Sequence, residues 1–403
     1  MMKTESKQKE NVMKYKLVYT GLISLIYILG KNIPLYGIDL SAYTSESANA
    51  EEMLMQMISG DAYQCSVFAL GIFPFMIAGI LVQIALAVRN LFTKARLSPK
   101  AVGYASVTVT LAIGIMQAIE RVPELQFAVG DEMLIWARML AGLQMVTGMM
   151  IILWLAGRNG RYGIGGRMAF MIVNLLERIT MILANYSVQS LLVPVVIAAA
   201  MMVLTLVMEN AEMRIPVQRV SIHNIYADKN YLAIKLNPIG IMPIMFTSAV
   251  FMLPQLLISL LSYLFPENVS VIWWLENMTL DRPFGILVYV ICEYLLTIGF
   301  AMIMINPGDI TEQLLKSGDS IVNLHAGRDT GRYLRITVLS ISFFSATVMG
   351  VCIVVPLILQ NQGSADSVLA MLPISVMMLT SFWCTIFREL TSIHKYDSCQ
   401  PLF

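Results

Sequence analysis

The sequence predicts an all-α polytopic membrane protein with ten transmembrane helices in two pseudo-symmetric, inverted halves of five. Three observations carry that prediction. The 403 residues are 57% apolar and only 13% charged, with a mean hydropathy of +0.71. Ten apolar stretches are each about long enough to cross a bilayer, which takes roughly 20 residues. Finally, the basic residues fall on alternate connections, as a multi-pass topology demands.

The stretches lie near 17–36, 68–88, 101–119, 133–156, 168–186, 189–208, 239–264, 284–305, 336–359 and 368–387. Backbone amides inside a bilayer must be satisfied within the segment, so helices are the default. Short segments of alternating polarity, the mark of a membrane β-barrel, are absent. The first stretch is an anchor rather than a cleaved leader, because Lys31-Asn32-Ile33-Pro34 offers no small-residue cleavage pattern.

Charge orients the chain. With residues 1–16 as a cytoplasmic tail, the inside segments hold 22 of the 27 basic residues, among them Lys3, Lys14, Arg89, Lys94, Arg158, Arg167, Arg214, Lys235, Arg335 and Arg388. Outside connections hold Lys31, Arg121 and Arg282 against acids such as Asp39, Glu51, Glu124 and Asp131. The rule that basic loops stay in the cytoplasm then puts both termini there, with an even number of spans.

Between the first two spans, residues 37–66 begin polar and acidic and turn amphipathic at Met53, Leu54, Met57 and Ile58. That segment reads either as an external loop or as a short helix tucked back into the protein. The connections 209–238 and 306–335 are basic and about thirty residues each. They are either solvated loops or a docking platform for a cytosolic partner. The halves run over 17–187 and 188–390, with a short tail at 391–403, and an odd number of spans per half makes the second an inversion of the first.

Cys65, Cys292, Cys352, Cys384 and Cys399 show no paired spacing and read as small apolar fillers. His223, His325 and His394 have no helical partner for a metal. The glycine-rich turn Gly163–Gly166 lacks the Lys-Ser/Thr of a phosphate cradle, so no ATP hydrolysis and no cofactor are expected. Charges inside spans are limited to Arg138, the adjacent Glu177 and Arg178, and Glu293, which form no acidic relay.

Several strings resemble one family. Leu70-Gly71-Ile72-Phe73-Pro74-Phe75-Met76-Ile77-Ala78, with Gln83 beyond it, is similar to the stretch that opens the second span of SecY, the central subunit of the bacterial protein-conducting channel. Tyr162-Gly163-Ile164-Gly165-Gly166 resembles the GIGNG turn before its fifth span. Arg214-Ile215-Pro216-Val217-Gln218 matches its RIPVQ loop, and Leu236 to Pro243 resembles the lead into its seventh span. Asn306-Pro307-Gly308, Lys316-Ser317-Gly318 and Thr330-Gly331-Arg332-Tyr333-Leu334 follow the order of its next cytoplasmic loop. Three departures stand out: His325 replaces a loop arginine, GIGNG has become Gly-Ile-Gly-Gly-Arg, and the first cytoplasmic connection is short. These departures look like the accessory branch of the family in Gram-positive bacteria.

The resemblance implies a translocase pore for unfolded preproteins, with a side exit to lipid. The apolar pore ring then falls on Ile72, Met76, Ile172, Leu176, Met245 and Ile374, and the plug on Met53, Leu54, Met57 and Ile58 within about 50–66. An apolar ring resists ions and offers a passing chain no hydrogen bond. Gln83 and Thr247 are either lateral-gate contacts or ordinary interhelical packing. A SecA-type ATPase, dedicated to the accessory system, would dock on Arg214, Arg219, Lys229, His325, Arg328 and Arg332; the same basic residues also satisfy the topology rule alone. A small SecE-like membrane subunit is a further implied partner, nucleic acid is not, and serine-rich glycosylated adhesins are the implied cargo. The rival reading is an ion-coupled secondary transporter, which needs a polar midplane site; a membrane enzyme would need clustered catalytic side chains.

Overall fold

The structure, a computed structural model, describes residues 2–39, 65–92, 98–219, 231–264, 268–280, 282–322, 324–361 and 367–398. The plug positions Met53, Leu54, Met57 and Ile58, together with Lys229, lie outside them.

Each predicted span falls on a helix. These are α1 (Met2–Lys31), α2 (Phe73–Phe92), α3 (Pro99–Arg121), α4 (Asp131–Tyr162), α5 (Met168–Asn185), α6 (Val188–Asn210), α7 (Met242–Leu264), α9 (Pro283–Ile305), α11 (Arg328–Asn361) and α13 (Leu372–Ser398). Short helices α8 (Val269–Asn277), α10 (Pro307–Ser317) and α12 (Ser367–Ala370) lie between them. Among the described residues seven helices are long and apolar enough to cross a membrane, while the apolar runs in α2 and α7 are shorter. Large apolar side chains such as Trp136, Trp154, Val188 and Leu295 are exposed on the outer surface, as a helix facing lipid requires.

Local chemistry sets several boundaries. Ser98 caps α3 by accepting from the Ala101 N–H, and Pro99 follows where its missing N–H costs nothing. Gly71, at φ +56°, makes the sharp entry to α2. Asn306, at φ +43°, joins α9 to α10, and asparagine is among the few residues that tolerate that region. Pro194, Pro254 and Pro356 sit inside helices, which membrane helices tolerate.

The two long basic connections carry short strands, a small addition to a helical fold. Strands β1 (Glu212–Arg219), β2 (Tyr231–Lys235) and β3 (Asp319–Ile321) form an antiparallel sheet in the order β2-β1-β3. The alternation is visible once the partner is known, because Ile215 and Ile234 point inward between exposed neighbours. β1 therefore fastens one connection to the other.

Polar side chains pin the helices where they are buried. Tyr27 on α1 packs its ring against Phe170, centroids 4.7 Å apart, and donates its hydroxyl to Asn174 of α5 at 3.0 Å. On the opposite side, the Ser248 and Tyr289 hydroxyls share a hydrogen bond of 3.1 Å between α7 and α9. One large apolar cluster runs through the centre and takes residues from α1, α2, α5, α7, α9, α11 and α13.

A methionine-lined candidate pore

Four helices converge on a small cavity in that central cluster. α2 supplies Met76; the start of α5 supplies Met168 and Met171, with Arg167 just before it; α7 supplies Met242, Met245 and Phe246; α13 supplies Phe382. Free space inside is about 20 Å³, room for about one water. Two of these helices come from each predicted half. Thioether chains have three soft torsions, so such a wall deforms readily.

Five of the six ring positions lie in the same cluster. Ile72, Met76, Met245 and Ile374 are buried, and Ile172 is half-buried at its margin. Leu176, by contrast, is 47% exposed. From α5 the cavity takes Met168 and Met171, with the buried Leu175 one turn further on, and Ile172 and Leu176 stand one position round from Met171 and Leu175.

Arg167 ends the glycine-rich turn. Its guanidinium lies 5.4 Å from the centre of the Phe75 ring on α2, and burial disfavours its charged form, lowering its pKa from the usual arginine value. Gly165 and Gly166 adopt φ of +71° and +48°. Glycine therefore replaces the family's asparagine at a position that suits either residue. The Asn159 side-chain amide donates to the carbonyls of Ile164 and Gly166 at 3.1 and 2.7 Å, which fixes the turn.

The two gate positions differ. Thr247 is fully buried and donates to the Pro243 carbonyl of its own helix at 2.8 Å, whereas Gln83 is exposed on α2. Among the span charges, Glu177 pairs with Lys31 of α1. Glu293 is buried on α9 with neither carboxyl oxygen hydrogen-bonded among the described residues.

Of the docking positions, Arg214 projects from β1, bonded to Glu212 Oε1 at 2.7 and 2.9 Å and lying 4.7 Å over the Tyr231 ring. Its hydrogen bond to Glu212 holds the guanidinium still more firmly charged. Arg219 ends the same strand. Arg328 and Arg332, joined by Arg335, line a cleft of about 770 Å³ between the starts of α10 and α11. The exposed His325 precedes it, its carbonyl accepting from Thr330 at 2.8 Å.

Comparison with known proteins agrees with this arrangement. The SecY family model matches residues 66–382. A relative in Leuconostoc gelidum subsp. gasicomitatum, named accessory Sec system protein translocase subunit SecY2, is 28% identical over 424 residues and covers 100% of both chains. One of the same name in Streptococcus agalactiae is 31% identical over 338 residues, 81% of this chain and 80% of its own. A solved protein-conducting channel shares the fold with a TM-score of 0.69 at 16% identity, over 96% of this chain and 94% of that one. Canine Sec61 in its ribosome complex gives a TM-score of 0.65 at 16% identity, over 96% and 94%. Because the family match spans most of the chain and reaches from the entry to α2 as far as Phe382 of the cavity, the chain belongs to the SecY family.

Proposed function

We propose that this chain is the pore-forming subunit of an accessory protein translocase. It passes unfolded preproteins across the bacterial plasma membrane through two inverted halves of five helices, and releases hydrophobic segments sideways into lipid. The observation that supports it best is the four-helix methionine-lined constriction, too small for more than about one water yet built from flexible side chains. Both termini face the cytoplasm in this reading, in keeping with the distribution of basic residues.

The chain acts as a conduit rather than an enzyme. A dedicated SecA-type ATPase supplies the work by gripping Arg214 on the sheet and Arg328 and Arg332 in the cleft, and Arg219, Lys229 and His325 are its further proposed contacts. A SecE-like subunit clasps the helices from outside, the segment 50–66 seals the resting pore, and Gln83 and Thr247 border the lateral exit. Serine-rich glycosylated adhesins are the proposed cargo. The accessory Sec relatives do not favour the ion-coupled transporter.

Site-specific crosslinking tests the reading. A preprotein arrested halfway through export should crosslink to photoreactive residues placed at Met76 and Met245, and not to one at lipid-facing Leu295. Equal labelling at all three positions would refute it.

A further inference from the structure

The cavity wall carries one full charge. Arg167 lines it beside Met76, Met171 and Met245, and among the described residues no carboxylate forms an ion pair with it. Arg388 and Arg214 differ, each resting on a glutamate. The Phe75 ring beneath the guanidinium attracts it but neutralises nothing. An arginine side chain keeps its proton in a protein. Apolar walls screen its field poorly, so a charge at a narrow mouth acts over several ångströms.

Its position is held by the fold. The turn that bears it is clamped by Asn159 from α4 and by Glu389 of α13, whose carboxylate accepts from the Gly165 N–H at 2.9 Å. Arg167 therefore stands at the end of the constriction where α5 begins, the cytoplasmic end in the proposed orientation. A chain in transit passes this charge as it enters the methionine-lined constriction.

Resting on the channel reading above, we infer that Arg167 is a specificity-determining residue that discriminates the charge of the passing polypeptide. It retards clusters of lysine or arginine at the entrance to the methionine ring and admits acidic and neutral segments. Like charges a few ångströms apart across an apolar mouth repel, while an acidic segment is drawn in. The methionines supply no such preference, because a thioether is uncharged.

The test uses cells that carry the full export system and reporters that differ only by five consecutive Lys, Gln or Glu in the exported part. With the natural chain, the Glu reporter should be exported about threefold or more faster than the Lys reporter, the order expected of one unit charge beside a partly wetted path. Arg167→Gln should bring the two rates together, Arg167→Glu should reverse their order, and Arg167→Lys should keep the natural ratio. If a variant fails to accumulate in the membrane, Arg167→Cys labelled after assembly with thiol reagents of either charge gives the same comparison. An unchanged Lys-to-Glu ratio across all variants would overturn the inference and leave the channel reading standing. Export of every reporter in cells lacking this chain would overturn the channel reading, and this inference with it.

Discussion

Gly165 donates its backbone N–H to Glu389 Oε2 at 2.9 Å, a bond between residues 224 positions apart. It fastens the turn before α5 to the end of α13, and so one half of the molecule to the other. Replacing Glu389 with Ala should destabilise the protein by about 1 kcal/mol, the usual net worth of such a bond. It should also raise hydrogen exchange at residues 163–166. Unaltered exchange there would contradict the role of the bond.

The neighbouring Arg388 holds α13 to α6. Its Nη1 lies 3.0 Å from Glu209 Oε2, its other terminal nitrogen donates to the Glu209 carbonyl, and Ser381 donates to Glu209 Oε1 at 2.7 Å. Glu209 is only 2% exposed but Arg388 is 34% exposed, so water screens part of the pair. Arg388→Ala should cost about 2–3 kcal/mol, below the full penalty for stranding a buried charge. Replacing both residues with Leu should recover most of the loss in melting temperature.

Two glycines of α4 should respond oppositely to the same change. A Cβ at Gly148 would lie 1.9 Å from the Val67 carbonyl oxygen, while one at Gly157 meets nothing within 4 Å. Gly148→Ala should therefore cost about 2 kcal/mol or more through forced displacement of the chain entering α2. Gly157→Ala should be neutral or stabilise by up to about 1 kcal/mol through helix propensity. Thermal unfolding in one detergent compares them directly.

The proposed docking platform predicts a loss of function without a loss of fold. Arg214→Ala and Arg332→Ala should each weaken binding of the ATPase roughly tenfold, as removal of a charged hydrogen bond does, with circular dichroism unchanged. Undiminished ATPase-stimulated export in both variants would exclude the platform.

On α10, Glu312 and Lys316 pair at 2.8 Å one turn apart. Lys316 lowers the carboxyl pKa of Glu312, and Glu312 raises that of Lys316. The support from Glu312 is thus present above the ordinary carboxylate range and is lost as pH falls through its lowered value. The support from Lys316 is present below the ordinary lysine range and is lost as pH rises through its raised value. A peptide covering 305–318 should be most helical between about pH 5 and pH 10, and Glu312→Gln should flatten the acidic limb of that profile in circular dichroism.

The helices were legible because bilayer length and backbone satisfaction leave a sequence few options, and the apolar runs near 101–119, 189–208 and 284–305 end within a few residues of α3, α6 and α9. The cavity was legible at Met76 and Met245, where quoted strings fixed the register. It was less so on α5, where Met168 and Met171 enter and Ile172 does not line it, because one residue turns the helix by about 100°. The sheet was hidden for a different reason: β1 gains its partners from residues as distant as Asp319, and local pattern cannot register a pairing that tertiary structure supplies. Arg167 was visible as a departure from the family turn, but its place on the cavity wall depends on Phe75 and the packing of α2.

The small sheet has a mechanical consequence. β1 continues from α6, β2 leads after a few residues into α7, and β3 follows directly on α10. The Leu236 N–H also closes back on the Ala211 carbonyl at 2.9 Å. The paired strands therefore tie both connections to the start of α7, the helix that carries Met242 and Met245.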